Sequence, residues 1–591
     1  MESGPNQTHA ERAFLDVGTS LTGRRWVGPS GAEDRAALML AQQTDLPPIL
    51  CNILARLGVT AAEAPGYLAP TLRDLMPDPS SLLDMDRAAG IIWAAVKSRK
   101  RIAIFADYDV DGGASAALLI AWMRMRGLEA TLYVPDRIDE GYGPNVPAME
   151  GLADAHDLII CVDCGTLSDA PIAAAKGRGA EVVVLDHHLG GETLPPAGAV
   201  VNPNRQDETT SLTYLCAAGV VFVLLVAVNR LMRAEGLAGP DLLRLLDLVA
   251  LATVADVAPL QGLNRALVRQ GLRIMAERGR VGLTALADVA GVNTAPNAYH
   301  LGFLLGPRVN AGGRIGAADL GARLLATDDP AEAAALAERL DALNSERRAI
   351  EAEVLAAATA QAEARGLDAP LVWAAADGWH PGVVGIVASR LKDLANRPAI
   401  VIGLDGDEGK GSGRSLGQVD LGAAVATATR EGLLAKGGGH KMAAGLTVTR
   451  DRLEPAMARL ADLLEKQGSN RLGPRDLRID GLLTPEATTV DLIDRIQEAG
   501  PFGAGAPAPR FAFAATNIAF TKRVGDTHLQ VSIGHQTKLA AIAFRAFENE
   551  IGPALAAHNG APFHIVGRLE VDDWGGRRKP KLRIEDVSSV T

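Results

Sequence analysis

The sequence predicts a multidomain α/β protein. A parallel-sheet domain and a second α/β domain are joined by a long helix and followed by a small C-terminal β-barrel. Three observations predict this. From Arg101 onward, short apolar runs alternate with helical stretches, the pattern of a parallel sheet. Between Asp328 and Glu363, Ala, Leu, Glu and Arg dominate with no breaker. Beyond Arg478 come short alternating segments such as His528–Ile533. A chain of 591 residues has room for about three or four domains.

In order along the chain, residues 1–45 are polar and mixed, with scattered Gly and Pro, and are expected to form a flexible tail. Residues 46–98 read as a helical lead-in broken at Pro70, Pro77 and Pro79. Residues 99–327 form the first α/β domain. Its expected strands are Arg101–Phe105, Ala130–Val134, Leu158–Val162 and Glu181–Leu185, with helical Ala114–Met125 and Ala170–Lys176 between them. The most apolar run, Cys216–Val228, is shorter than the roughly 18–20 residues of a membrane span and reads as a buried helix. Leu242–Val257, apolar nearly all round, reads as a core helix. Asp329 and Pro330 open the connecting helix, 328–364, which also reads as two consecutive helices. The second α/β domain spans 365–466, residues 467–474 are a linker, and the barrel occupies 475–591.

The net charge of −11 excludes a uniformly basic nucleic-acid coat but not a local basic groove. Four cysteines in so long a chain exclude a disulfide framework and suit a reducing cytosol. Cys161 and Cys164 have no second pair to complete a zinc site and read as buried strand residues. No basic start followed by an apolar core opens the chain, so a cytoplasmic protein without a membrane partner is expected.

The chemistry lies at the strand ends. In a parallel sheet, ligands sit beyond the carboxyl ends of the strands. That rule places Asp107, Asp109, Asp111, Asp163, His187 and His188 along one edge. Asp109 and Asp111, two residues apart in a bend, can face one point; the same spacing also reads as an Asx-turn and helix cap. Carboxylates and imidazole together suit a divalent transition metal. One bridging carboxylate allows two ions roughly 3.5–4 Å apart, a clamp for phosphoryl chemistry. Mixed oxygen and nitrogen donors favour Mn²⁺, with Mg²⁺ as the alternative. Asp256, at a helix end, is a cap or a further ligand, and Asp107 is a ligand, an acceptor behind the ligands, or a turn carboxylate. His188 reads as a ligand, a structural residue or, the reading favoured here, a phosphate contact.

Asp107-Tyr-Asp-Val-Asp-Gly112, Val162-Asp-Cys-Gly165, Asp186-His-His188 and Ala255-Asp256 resemble the four signature motifs of the DHH phosphoesterase superfamily. Glu140-Gly-Tyr-Gly143, Gly306-Pro-Arg-Val-Asn-Ala-Gly-Gly-Arg314, Gly411-Ser-Gly-Arg-Ser415 and Gly438-Gly-His440 resemble its single-strand-specific 5′→3′ exonucleases. The likeness runs from about Leu46 to the C-terminus and implies a DHH domain, a connecting helix, a DHH-associated domain and an OB-fold.

The resemblance also implies residue roles. Asp109, Asp111, Asp163, His187 and Asp256 would bind two metals, with Asp163 bridging. Asn310 and Arg314 would lie near the scissile phosphate. Arg137, Ser412 and Arg414 would hold the 5′ end, Tyr142 would stack on a base, and Arg308 and His440 would lie on the substrate side. Arg577, Arg578, Lys579 and Lys581 form the basic run expected to bind the strand, which also reads as a solvated hairpin; Trp574, Phe544 and Phe547 are stacking candidates that read first as core or rim residues.

The implied activity releases 5′-mononucleotides from single-stranded DNA in repair and recombination. The implied protein is a monomer, with a single-strand-binding protein and a helicase as partners. Phe105 stands where many members have histidine, removing one ligand. Two other readings are a small-substrate phosphoesterase of the same superfamily and a non-catalytic single-strand-binding scaffold.

Overall fold

Five apolar segments, each too short for a stable helix, pair as an all-parallel sheet. Their order is Thr131–Tyr133, Ile102–Ala106, Leu158–Val162, Glu181–Leu185, Ala199–Val201. The computed structural model describes residues 12–136, 140–471, 473–573 and 576–590. Ile102–Ala106 and Leu158–Val162 are buried along their whole length, as strands covered on both faces must be. Successive strands add on opposite sides of Ile102–Ala106, so the order reverses between it and Leu158–Val162. A crevice opens at such a reversal. The chain leaves those two strands at Asp107 and Asp163.

Helix Val110–Arg124 starts at this edge and is buried from Val110 to Ile120. It packs with Ala217–Ala234 and Leu246–Ala255. Ala217–Ala234 is long and apolar enough to cross a membrane by length and composition, and 72% of it is buried in this core. The connecting helix is a single one, Pro330–Arg365, capped by the Asp329 carboxylate accepting the Ala331 N–H at 2.8 Å. Its 36 residues span about 54 Å.

The second sheet is mixed, in the order Lys436–His440, Ala443–Thr449, Glu408–Arg414, Ala399–Asp405, Val372–Asp377. The Gly-rich motifs 411–415 and 437–440 lie largely in strands Glu408–Arg414 and Lys436–His440. The glycines face packed side chains. A Cβ on Gly411 would meet Ile402 at 2.8 Å and Leu446 at 2.9 Å, and one on Gly413 would meet Leu421 at 2.7 Å. Ser412 and Arg414 alternate onto the opposite face.

Both domains and the connecting helix belong to one compact unit, residues 71–472 with 503–505. The other unit joins residues 1–70 to the C-terminal region. Its sheet has seven strands, in the order Gly481–Leu482, Phe511–Thr516, Phe563–Asp572, Lys579–Ser589, Leu539–Ala543, His528–Ile533, Ile518–Val524. No pairing closes its two end strands among the described residues, so closure of the expected barrel is not part of this sheet.

The flexible-tail expectation for 1–45 is corrected from Arg12 onward. Arg25–Val27 pairs in parallel with Asp476–Arg478. Trp26 is fully buried and donates its indole N–H to Asp586 at 2.9 Å. Gly31–Gln43 is a helix with a Ser30–Glu33 capping box. The partners lie some 450 residues away in sequence, beyond the reach of any local pattern. The helical lead-in 46–98 also divides. Pro48–Arg56 falls in this unit and Met85–Lys97 in the other.

Arg56 pairs with buried Asp480 at 2.7 Å, and the Arg510 N–H donates to the same carboxylate. Replacing Arg56 by Met leaves a buried charge alone. It is expected to cost about 3–5 kcal/mol, seen as faster hydrogen exchange at the Trp26 and Leu477 amides. The double change Arg56→Met, Asp480→Leu should recover most of that loss. A single variant that exchanges no faster than the double contradicts the pairing.

Candidate active site

The sheet edge gathers the expected ligands. Oxygen and nitrogen atoms of Asp107, Asp109 and Asp163 lie within 4.8 Å of one another, as do those of Asp111, His187 and Asp256, and those of Asp163, His187 and His188. His187 Nε2 stands 3.2 Å from Asp163 Oδ1, 3.6 Å from Asp111 Oδ2 and 3.9 Å from Asp256 Oδ2. Two donors on one small cation are themselves about 3–4 Å apart, so these spacings fit an ion between them. Asp163 Oδ1 is buried and accepts no hydrogen bond among the described residues, an oxygen left for a cation. The donor set of carboxylates and imidazole suits Mn²⁺ or Mg²⁺.

Local structure holds each group. Asp109 is both cap and candidate ligand: Oδ1 accepts the N–H groups of Asp111 and Gly112, at 2.9 and 3.2 Å, at the start of helix Val110–Arg124. Asp111 accepts the N–H groups of Ala217 and Ala218, at 2.6 and 2.8 Å, where helix Ala217–Ala234 begins. Gly112 must be glycine, because a Cβ there would lie 2.4 Å from the Asp107 carbonyl. Asp163 takes a left-handed conformation, φ 60°, which Asp tolerates better than most residues. Phe105 is buried against Tyr133 with ring centroids 5.3 Å apart, so the position where the family resemblance implied a histidine ligand is apolar core here. Asp107, buried beside Asp109 and Asp163, occupies that side of the cluster.

Electrostatics reflect the crowding. Burial, then Asp111, Asp109 and Asp107, push the Asp163 carboxyl well above its ordinary range. Burial raises Asp111 against the opposing pull of His187. Burial, then Asp111 and Asp109, raise Asp256 to about 8. Such a set cannot carry its full negative charge without cations.

Asp186, at the head of the Asp-His-His stretch, points elsewhere. Its Oδ1 accepts the His187 N–H, the His188 N–H and His188 Nδ1, and its Oδ2 accepts the Thr166 N–H and hydroxyl. Burial opposes its charge, but these bonds hold its carboxyl far below the ordinary range. Burial likewise opposes charge on His188, yet Asp186, Asp107 and Asp256 raise it to about 9. A protonated His188 donates from Nδ1 to Asp186 and presents Nε2 to the Tyr142 hydroxyl, 3.2 Å away. That hydroxyl lies 3.4 Å from the Asp163 carbonyl. Tyr142 thus turns its oxygen inward while the residue as a whole stays 57% exposed, between Gly141 and Gly143, both at positive φ.

Sequence reasoning missed Asp186, Thr166, Asn202 and Asn204 as the frame of this loop. Asn202 donates to the His188 carbonyl at 2.8 Å and Asn204 to the His187 carbonyl at 2.6 Å. The signal was Asn202-Pro203-Asn204 directly after a buried strand.

Asn310 accepts the Val110 N–H at 2.9 Å and so steadies the turn carrying Asp109. Arg314 donates to the Gly382 carbonyl, where helix Pro381–Ala395 begins. Ser412 and Arg414 hydrogen-bond each other at 3.0 Å and lie against Gly385 of that helix. Arginine forks beside a helix N-terminus can hold a phosphate. His440 shares a register row with Ala443 and Arg414, placing it about 10 Å from Arg414 on the same face. Arg308 donates to Asp341 at 2.8 Å and to the Leu304 carbonyl, a link to the connecting helix. Arg137 and Trp574 lie outside the described residues.

In the C-terminal unit the basic run is largely compensated. Arg578 pairs with Asp494 at 2.7 Å and Lys581 with Asp572 at 3.2 Å. Arg577 and Lys579 are exposed. A different patch combines charge with an open ring: Phe544 is 49% exposed, with Arg583 5.6 Å and His528 5.4 Å from its ring.

Replacing Asp186 by Asn in the metal-free protein should drop the His188 pKa from about 9 towards the ordinary value of about 6.5. Histidine NMR checks this, with the resonance identified by its loss in His188→Gln. An unmoved titration would remove Asp186 as the cause.

Family models match the chain in three places: the DHH family N-terminal domain at residues 101–253, the DHHA1 domain at 368–466 and the RecJ OB domain at 479–586. The chain is 38% identical over 563 residues to the single-stranded-DNA-specific exonuclease RecJ of Dickeya dadantii (strain 3937), covering 92% of this chain and 96% of that one. It is 35% identical to the same protein of Escherichia coli (strain K12), with the same coverage. The crystal structure of RecJ in complex with Mn²⁺ from Thermus thermophilus matches with a TM-score of 0.79 at 29% identity, covering 95% of this chain and 79% of that one. The motifs, the domain order and the likeness over nearly the whole length agree, and the chain belongs to the family of the single-stranded-DNA-specific exonuclease RecJ.

Proposed function

We propose that this chain degrades single-stranded DNA from the 5′ end and releases 5′-mononucleotides, in DNA repair and recombination. Two divalent ions, Mn²⁺ first and Mg²⁺ second, assist the hydrolysis. The observation that carries the reading is the linked ligand groups: Asp163 belongs to two of the three, and so does His187. Kinship over both α/β domains and the C-terminal domain supports the substrate.

In this reading Asp107, Asp109, Asp111, Asp163, His187 and Asp256 would hold the two cations. When bound, the ions neutralise charge building on the phosphate and lower the pKa of an attacking water. His188, kept protonated by Asp186, directs Nε2–H at a phosphate oxygen. Arg314 steadies the same phosphate, and Asn310 keeps the Asp109 turn in place. Ser412, Arg414 and the start of helix Pro381–Ala395 take the 5′-phosphate, with His440 at the far end of that face. Tyr142 offers its exposed ring to the terminal base. Arg137 completes the 5′ end by family resemblance alone.

An exonuclease confined to single strands needs its substrate opened and kept open. A helicase and a single-strand-binding protein are therefore its proposed partners. The chain is read as a cytoplasmic monomer; four free, buried cysteines suit a reducing compartment.

A 5′-labelled, 5′-phosphorylated single strand should yield labelled mononucleotide in Mn²⁺ and nothing in EDTA, while a blunt duplex persists. Asp163→Ala should lower the rate by about 10⁴-fold with strand binding retained. Preference for a dinucleotide over a long strand would support the small-substrate reading, and binding without hydrolysis the scaffold reading. In the C-terminal unit, Phe544→Ala should weaken strand binding by about tenfold, more than Arg578→Ala does. The reverse ranking by fluorescence anisotropy would return the role to the basic run.

A further inference from the structure

Aromatic residues make up 4% of this chain, so an exposed pair of stacked rings stands out. Tyr299 and Phe303 are 50% and 70% exposed. Their ring centroids lie 5.2 Å apart with planes 23° from parallel. Single exposed apolar side chains need no explanation. A flat, two-ring surface held open to solvent is the kind of surface on which nucleobases stack.

Its position ties it to the ligand cluster. Phe303 lies in a π-helical turn, His300–Leu305, that runs directly into helix Gly306–Ile315. Such turns occur often at functional sites. The turn is pressed onto the end of helix Leu246–Ala255. A Cβ on Gly302 would lie 3.3 Å from Val254 Cγ1, and one on Gly306 would lie 3.1 Å from the Ala255 Cβ. Asp256, a member of the ligand cluster, is the next residue. Asn310 and Arg314, four residues apart in helix Gly306–Ile315, share one helix face, and the π-helical turn carrying Phe303 leads directly into that helix. Asn310 on that face touches the Asp109 turn. Arg314 at its far end touches Gly382, beside the Ser412–Arg414 face.

We propose that Phe303 and Tyr299 form a stacking platform for bases on the 3′ side of the scissile phosphate. The proposal rests on the exonuclease reading above. If the 5′ end lies towards Ser412 and Arg414, near the Arg314 end of the helix, the strand passes the ligand cluster and continues towards the π-helical turn that carries Phe303. A base on the platform must have a free face and room beside it, which duplex DNA denies. Stacking on a ring tolerates any base, as a sequence-independent nuclease requires.

The test uses the full-length chain with Mn²⁺ and 5′-phosphorylated oligothymidylate, intact or with one abasic residue at successive positions from the 5′ end. In the unaltered protein, an abasic residue at one or two positions 3′ of the cleaved bond should raise KM about tenfold. Phe303→Ala should raise KM for the intact strand by a similar factor at unchanged kcat, and the same abasic positions should then add nothing. Phe303→Trp should restore KM, and Phe303→Leu, which keeps the apolar bulk without the ring, should not. A wild-type KM in Phe303→Ala, penalties that add to the substitution, or an abasic scan with no sensitive position in the unaltered protein would each overturn the platform. An unaltered protein that leaves the strand intact would instead strike the exonuclease reading.

Discussion

The structure is built around the mutual repulsion of carboxylates forced together at one sheet edge. Asp107, Asp109, Asp111, Asp163 and Asp256 converge on a partly buried point with His187 as the nearest imidazole. Water is largely excluded there, so neither solvation nor distance relieves the charge. The raised pKa values of Asp111, Asp163 and Asp256 express that stress. Divalent cations relieve it, and the energy stored in the arrangement becomes affinity for them.

Keeping like charges together requires opposing forces from the scaffold, and these are mostly backbone dipoles. Asp111 is held by the first N–H groups of one helix, and Asp109 by those of another. Asp186 is held by five donors of its own and never reaches the cluster. Its work is indirect, since it keeps His188 charged and the loop folded. Asn202 and Asn204 secure the carbonyls of the same loop. Backbone groups on both sides of the two histidines are thus fixed, so the rings have little freedom to drift.

Some of this was legible in the residues. The parallel sheet follows from short apolar runs separated by helical stretches, and the strand-end rule places the acidic residues along one edge of it. The single connecting helix followed from Asp329-Pro330 and the long stretch without a breaker. Other features were not legible. The packing role of the glycines of 411–413 was one of them: glycine signals flexibility locally, whereas here it clears space for Ile402, Leu446 and Leu421. The N-terminal segment read as loose because its partners, Asp476 and Asp586 among them, are hundreds of residues away. Arg308 and Arg578 read as anion contacts because charge is visible in sequence, while the acids that neutralise them are not.

By itself, the sequence determined the order of elements and pointed to the candidate ligand groups, because periodicity and residue chemistry are local properties. Tertiary structure alone decided which carboxylate faces the cluster and which braces it, and which basic side chains stay open to a strand. It also decided that two exposed rings stand stacked on the turn that packs against Val254 and Ala255. Those outcomes depend on distances between residues far apart in the chain, and pairing through space leaves no mark on either partner's neighbours in sequence.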